Sequence, residues 1–188
     1  MIHTVIQGIS LELHTEPSVF SPQRVDAGTL AMLSCVQFNA DDKVLDLGCG
    51  YGVVGIYAAK IIGDAHVVML DNDETAISIA RENAEFNGVP GIATIISDGF
   101  RGLDDTGFTK ILANPPYHTD FAIAKHFIEK GFNRLVIGGQ FYMVTKRKDW
   151  YHNKLAAIFG GVKIHEIDGY YVFMAEKRGM HYAKKSKG

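Results

Sequence analysis

The chain has little of what marks several large protein classes. Its 188 residues hold two cysteines, Cys35 and Cys49, with neither metal-ligand spacing nor a disulfide framework. No apolar run reaches the ~18 residues of a membrane span, and the best candidate, "VVGIYAAKII", is short and broken by Lys60. The N-terminus, "MIHTVIQGISLELHTEP", lacks the basic start and unbroken apolar centre of a signal peptide. Repeats, low-complexity blocks and long linkers are missing. The histidines form no ligand constellation, so no metal is expected. A net charge of −2 argues against a globally basic nucleic-acid binder. These absences leave a cytoplasmic protein of one domain, long enough for one full core and too short for two.

The charge that is present is uneven. Residues 142–188 carry 10 Lys and Arg against 4 Asp and Glu, whereas residues 1–141 carry 9 against 17. A basic C-terminal part on an acidic body is either a footprint for a polyanion or a solvated face ending in the "KKSKG" tail.

From residue 43 onward the pattern is strand, turn, helix, repeated. "KVLDLG", "HVVML", "IATII", "KILA" and "RLVIGGQFYMV" read as strands, with "VKIHEI" and "YYVFMAEK" forming a hairpin about Asp168-Gly169. Between them, "GVVGIYAAKII" is apolar all round. Ala76, Ile77, Ala80 and Ala84 recur at helical spacing behind a cap at Asp73, with a stop at Asn87-Gly88. "TDFAIAKHFIEKGF" and "DWYHNKLAAIFG" are further helices, and Asp26 can start another through "GTLAMLSCV". Residues 2–14 are expected to form an edge hairpin. The expected fold is α/β: a Rossmann-like, seven-stranded, mostly parallel sheet with helices on both faces and a C-terminal antiparallel hairpin. Residues 1–40 would be an N-terminal extension and helix, 41–177 the catalytic core, and 178–188 a basic tail.

Candidate chemistry clusters at the ends of successive strands. "VLDLGCGYG" runs from a strand through Asp46 into Gly48, Gly50 and Gly52, a turn that lets a ligand approach the backbone closely. Its spacing is G-x-G-x-G, which disfavours a pyrophosphate cofactor. Asp71 ends the second strand, 19 residues after Gly52, where such folds place an acid for a ribose diol. Taken singly, the glycines could be a structural turn, Asp71 a helix-capping acid, and Asp98 in "ISDGF" a turn residue. Together they lie along the strand edge where open parallel sheets bind ligands, and point to an adenosine-type cofactor.

"ILANPPYHTD" is less usual. Two prolines remove two backbone donors and hold the preceding residue extended, so the segment leaves its strand as a stiff wall of acceptors. Alone, it could be a rigid strand-to-loop turn.

At this point the sequence resembles the class I S-adenosylmethionine-dependent methyltransferases. The residues carrying the resemblance are "VLDLGCGYG", "MLDND", "ISDGF" and "NPPYH", within a match from about residue 17 to residue 177. With "VFSPQRVDAGT" added, the chain looks like the catalytic half of the small-subunit ribosomal RNA guanine-N2 methyltransferases and their small single-domain relatives. The resemblance implies that Asp46 and the Gly48–Gly52 turn, Cys49 included, hold the methionine end of the cofactor. It implies that Asp71, with Asn72, takes the ribose hydroxyls, and that Asp98, with Gly99 and Phe100, meets the adenine. Phe20, Asp26, Gly28 and Thr29 would line the approach to the cofactor, with Asn114 also bordering it.

The acceptor wall then has a use. The lone pair of an exocyclic amine is delocalised into its ring, so the nitrogen must be gripped by its N–H groups to attack a methyl in line. The Asn114 side-chain oxygen and the Pro115 carbonyl can take those two hydrogens, Pro116 stiffens the wall, and Tyr117 can stack on the base. His118 could touch substrate, although a loop histidine there is more often a bystander. Cys49, between two glycines, is expected to be inert packing. The expected partner is an RNA, ribosomal RNA or the small subunit, with guanine N2 as target. Adenine-N6 or protein glutamine-N5 methylation by the same fold, or a cofactor-binding partner module without activity, are the alternatives.

Overall fold

A computed structural model describes residues 1–116 and 121–183. In chain order the elements are β1 (Ile2–Ile6), β2 (Ile9–Leu13), α1 (Ala27–Cys35), β3 (Val44–Leu47), α2 (Val53–Ile62), β4 (Val67–Asp71), α3 (Glu74–Phe86), β5 (Ala93–Ile96), β6 (Phe108–Ala113), α4 (Ala122–Arg134), β7 (Leu135–Thr145), α5 (Asp149–Phe159), β8 (Lys163–Ile167) and β9 (Tyr170–Glu176). Seven strands form one sheet in the order β5-β4-β3-β6-β7-β9-β8. Those from β5 to β7 are parallel neighbours, and β9 runs antiparallel to both β7 and β8. Among the described residues, no helix is long and apolar enough to cross a membrane.

Strand side chains alternate between faces, and here both faces are apolar. Val67, Met69, Leu112, Tyr142 and Val144 join one cluster, which α1, α2 and α3 complete. Val68, Leu70, Ile111, Phe141 and Met143 join the other, under α4 and α5. Eight of the ten residues of α2 are buried, as a helix apolar all round requires. Caps set the helix starts: Asp26 accepts from the Thr29 N–H and Asp73 from the Thr75 N–H.

The N-terminal hairpin differs from its expected place. β1 and β2 form a separate two-stranded sheet instead of an edge of the large one. The reason lies on α3. Asn83 accepts from the His14 N–H at 2.7 Å and donates to the His14 carbonyl at 3.0 Å. One helical turn on, Asn87 makes the same pair of bonds with Glu12, at 3.1 and 2.7 Å. Two side-chain amides thus satisfy the hairpin backbone that a sheet neighbour would otherwise have satisfied.

Candidate active site

The carboxyl ends of β3, β4, β5 and β6 surround a crevice of about 910 Å³. Most of the expected residues line it: Asp46, Gly48, Cys49, Gly50, Asp71, Asn72, Asp98, Gly99, Phe100, Asn114, Pro115 and Pro116, with Phe20, Asp26 and Thr29 from the segment before and into α1. Tyr117 and His118, also singled out from the sequence, lie outside the described residues.

Two glycines have other duties. A Cβ on Gly52 would stand 3.1–3.3 Å from Ile56, Met69 and Ala80, so this residue seats α2 against β4 and α3 and lies outside the crevice lining. A Cβ on Gly28 would fall 2.7 Å from the Tyr170 ring, so its absence lets α1 approach β9. Gly50 is the opposite case. Its φ is +53°, and a Cβ there would meet nothing within 4 Å, which leaves its backbone bare beside the crevice.

The turn and the two acids behind it form one unit. The Asp71 carboxylate accepts from the Gly50 N–H at 2.8 Å through one oxygen and from the Asp73 N–H at 3.0 Å through the other. Asp46 is buried at the foot of the crevice and accepts from the Gly55 N–H at 2.8 Å. Burial pushes its carboxyl up to about 7; the Gly55 N–H pulls the other way, and the neighbouring Asp71 charge adds to the rise. A folded-state value above the unfolded one means that the folded form holds its proton more tightly. The stability Asp46 contributes is therefore complete below about pH 4 and lost as the pH rises through about 7. Thermal unfolding of the ligand-free protein should show Tm falling between pH 5 and pH 8, with the Asp46→Asn variant flatter across that window. Parallel curves would mean that Asp46 titrates normally.

Sequence reading missed three contributors. Gly55 lies inside α2, where glycine costs about 0.5–1 kcal/mol relative to alanine. A Cβ there would strike the Met69 side chain at 2.4 Å, and its N–H serves Asp46. An interior helical glycine is itself the signal that could have found it. Tyr51, in the glycine turn, is buried and points its hydroxyl at the carbonyls of Ser21 and Arg24, 3.3 and 3.4 Å away. Burial, then the Asp26 charge, push that hydroxyl up to about 12, so it stays a donor and ties the segment before α1 to the turn. His126 of α4 lines the crevice, and its ring would meet a Cβ on Gly99 at 2.3 Å, so the present position of that ring over residue 99 uses the missing side chain. Cys49 is buried, and its thiol is pushed well above its usual range by burial first and by the Asp46 and Asp71 charges after it.

At the far side of the crevice, Asn114 is held by its amide nitrogen. Nδ2 donates to Asp26 Oδ2 at 2.9 Å and to Thr29 Oγ1 at 3.0 Å. Asp26 Oδ2 also accepts the Thr29 N–H at 3.0 Å, so a single carboxylate oxygen caps α1 and grips Asn114. A carboxylate can only accept, which fixes which end of the amide faces it. With both amide hydrogens taken on that side, Oδ1 is the atom left for an incoming N–H.

A sheet of this order, with a glycine turn and acids along its carboxyl edge, has the Rossmann-like fold of the S-adenosylmethionine-dependent methyltransferases. The chain belongs to the methyltransferase small domain family, which matches residues 10–174. Similar proteins include the ribosomal RNA large subunit methyltransferase G of Pseudomonas entomophila, 35% identical over 161 residues, 82% of this chain and 43% of that one. The uncharacterized protein YbxB of Bacillus subtilis is 31% identical over 169 residues, 87% of this chain and 84% of its own. Among solved structures, a T. thermophilus 16S rRNA guanine-N2 methyltransferase (RsmC) in complex with AdoMet and guanosine superposes with a TM-score of 0.85 at 27% identity, covering 94% of this chain. This chain spans 43% of the Pseudomonas relative and 50% of the T. thermophilus chain.

Proposed function

We propose that this chain moves the methyl group of S-adenosylmethionine onto an exocyclic amine of a nucleobase in RNA, guanine N2 of ribosomal RNA. The observation that carries this reading is the Asn114 amide, held by Asp26 and Thr29 so that its oxygen is left as an acceptor. The likeness to a guanine-N2 enzyme whose structure holds guanosine supports the choice of nitrogen. The names of the similar proteins divide between large and small subunits, so both belong in the assay.

The residues present fit the cofactor. Gly50 leaves an open backbone cradle, and a buried carboxyl raised to about 7 beside a second acid suits a ligand with a cationic end. In this reading Asp46 and the Gly48–Gly50 backbone hold the methionine end. Asp71 takes the ribose hydroxyls, and Asp98 with Phe100 meets the adenine. When bound, S-adenosylmethionine supplies a methyl made electrophilic by a sulfonium. The chain's own part is to accept one amine hydrogen at Asn114 Oδ1 and the other at the Pro115 carbonyl, turning the nitrogen's electron density toward that methyl. Such preorganised positioning can supply roughly 7–11 kcal/mol of a barrier, so no side-chain nucleophile is required.

The test offers labelled S-adenosylmethionine with unmodified small and large ribosomal subunits, naked ribosomal RNA, transfer RNA, DNA and protein, followed by nucleoside analysis. Label is expected in an RNA guanosine. Label confined to adenosine, DNA or a glutamine side chain would overturn the proposed acceptor.

A further inference from the structure

Beyond the crevice, the same sheet edge carries an ordered group of cations and rings that the chemistry above does not use. Ala113, the residue before Asn114, pairs with Met143 of β7, and Thr145 at the end of β7 pairs with Tyr171 of β9. Neighbouring strands lie about 4.8 Å apart. Lys146, Arg147 and Lys148 therefore leave the sheet beside the Asn114–Pro116 segment, on the side away from the glycine turn.

Each of these cations rests on an aromatic ring. Lys146 Nζ is 5.0 Å from the Tyr170 ring centre, the Arg147 guanidinium 5.5 Å from Phe121, and Lys148 Nζ 5.8 Å from Tyr171. Phe121 in turn stacks on Trp150, 4.4 Å between centres and 13° between planes. The three basic side chains are exposed, while Phe121, Trp150 and Tyr171 are half-buried. Tyr170 is the ring that fills the space over Gly28, so the group is continuous with the start of α1, where Asp26 grips Asn114.

A run of solvated lysines would sample many rotamers. Cations laid on rings are partly ordered in advance, which lowers the entropy lost when a polyanion docks. The alternation of exposed charge and accessible ring also suits one class of polyanion in particular. Single-stranded RNA offers phosphates for the cations and base faces for a guanidinium or indole plane. A duplex offers the phosphates without the base faces.

We propose that Lys146, Arg147 and Lys148, with Phe121, Trp150 and Tyr171, form a docking platform for the single-stranded RNA that flanks the methylated nucleotide. This rests on the RNA-methyltransferase reading above and adds where the strand lies.

Trp150 is the chain's single tryptophan, so its emission reports on the platform directly. Titration with a short single-stranded RNA should quench it, and the quenching should weaken steeply with salt. In the Lys146→Ser/Arg147→Ser/Lys148→Ser variant, affinity should fall at least about tenfold. The salt slope should drop by about 2, since each phosphate contact on a single strand contributes roughly 0.7. Cofactor affinity and urea midpoint, measured alongside, should stay at wild-type values. Arg147→Lys keeps the charge and loses the plane; it should bind several-fold more weakly with the slope unchanged. RNA affinity and salt slope unaltered in the triple variant would overturn the platform, whether or not RNA is methylated. So would equal affinity for a duplex, or for an acidic polypeptide. RNA binding that the triple variant loses, from a wild-type protein that methylates no RNA, would support the platform and sink the RNA-methyltransferase reading.

Discussion

Replacing Asn114 with alanine is expected to lower kcat for methyl transfer by about 10²–10³-fold, the usual cost of removing one preorganised hydrogen-bonding group from an active site. S-adenosylmethionine affinity should stay within a few-fold, because the acids and the glycine turn that would hold it stand on other strands. Single-turnover transfer of labelled methyl and calorimetric cofactor binding separate the two effects. A wild-type rate in Asn114→Ala would end the acceptor-wall mechanism. The carboxylate behind it gives a graded second measurement. Asp26→Asn keeps an oxygen for the Thr29 N–H, and Asn is as good a helix cap as Asp. It no longer forces the Asn114 amide into one orientation, since an amide can face another amide either way round. Loss of one charge-assisted hydrogen bond, about 1.5–3 kcal/mol, predicts a rate lower by about tenfold or more, with a Tm lower by several degrees.

The largest effect on stability is expected at the opposite end of the sheet. Lys110 Nζ reaches both carboxylate oxygens of Asp42, at 2.8 and 2.7 Å, and both side chains are buried. The Thr109 hydroxyl and the Asn39 N–H donate to the same carboxylate, each at 2.7 Å. Burial alone would raise the Asp42 carboxyl; Lys110, Thr109 and Asn39 together outweigh it and hold it below its ordinary value. A depressed value contributes stability that is present above about pH 4 and lost as the pH falls through the folded pKa.

Removing one partner of a buried pair costs about 3–5 kcal/mol. Lys110→Met belongs at the lower end, because Asp42 keeps two donors. Asp42→Ala belongs at the upper end, because it leaves a buried ammonium with no counter-charge in the pair. In a chain of this size each kcal/mol shifts Tm by about 2–4 °C, so thermal melts at pH 7 should fall by about 6–20 °C. The double variant Asp42→Leu/Lys110→Met should recover much of the loss. Cofactor affinity should be unaffected below the melting range, since the pair sits away from the crevice. Single variants that melt with the wild type would show that the pair contributes nothing.

The strand and helix order, the caps at Asp26 and Asp73, the stop at Asn87 and the glycine turn were all readable in the chain itself. Each rests on alternation, helical spacing or a bond spanning two or three residues, and such interactions leave a local trace. Along the candidate site, the acids at the strand ends were readable for the same reason, because a parallel sheet brings its carboxyl ends to one edge. Gly52 and Gly28, placed at the site from the sequence, lie outside the crevice lining, and a Cβ on either would press on a packed neighbour. A glycine in the sequence does not say which neighbour needs the missing Cβ.

Sequence by itself therefore determined the α/β class, the edge of the sheet that carries the crevice, and the identity of most residues around it. The tertiary structure alone decided which side chains hold one another. Asn114 meets Asp26 across 88 residues, Lys110 meets Asp42 across 68, and Asn83 meets His14 across 69. Each of these polar groups had several possible partners in the chain, and burial, full for Lys110, Asp42 and Asn83 and partial for Asn114 and Asp26, took much of the water out of the choice. Once a donor or acceptor is shut away from solvent it must find its bond within the fold, and that partner follows from the packing of helices on the sheet.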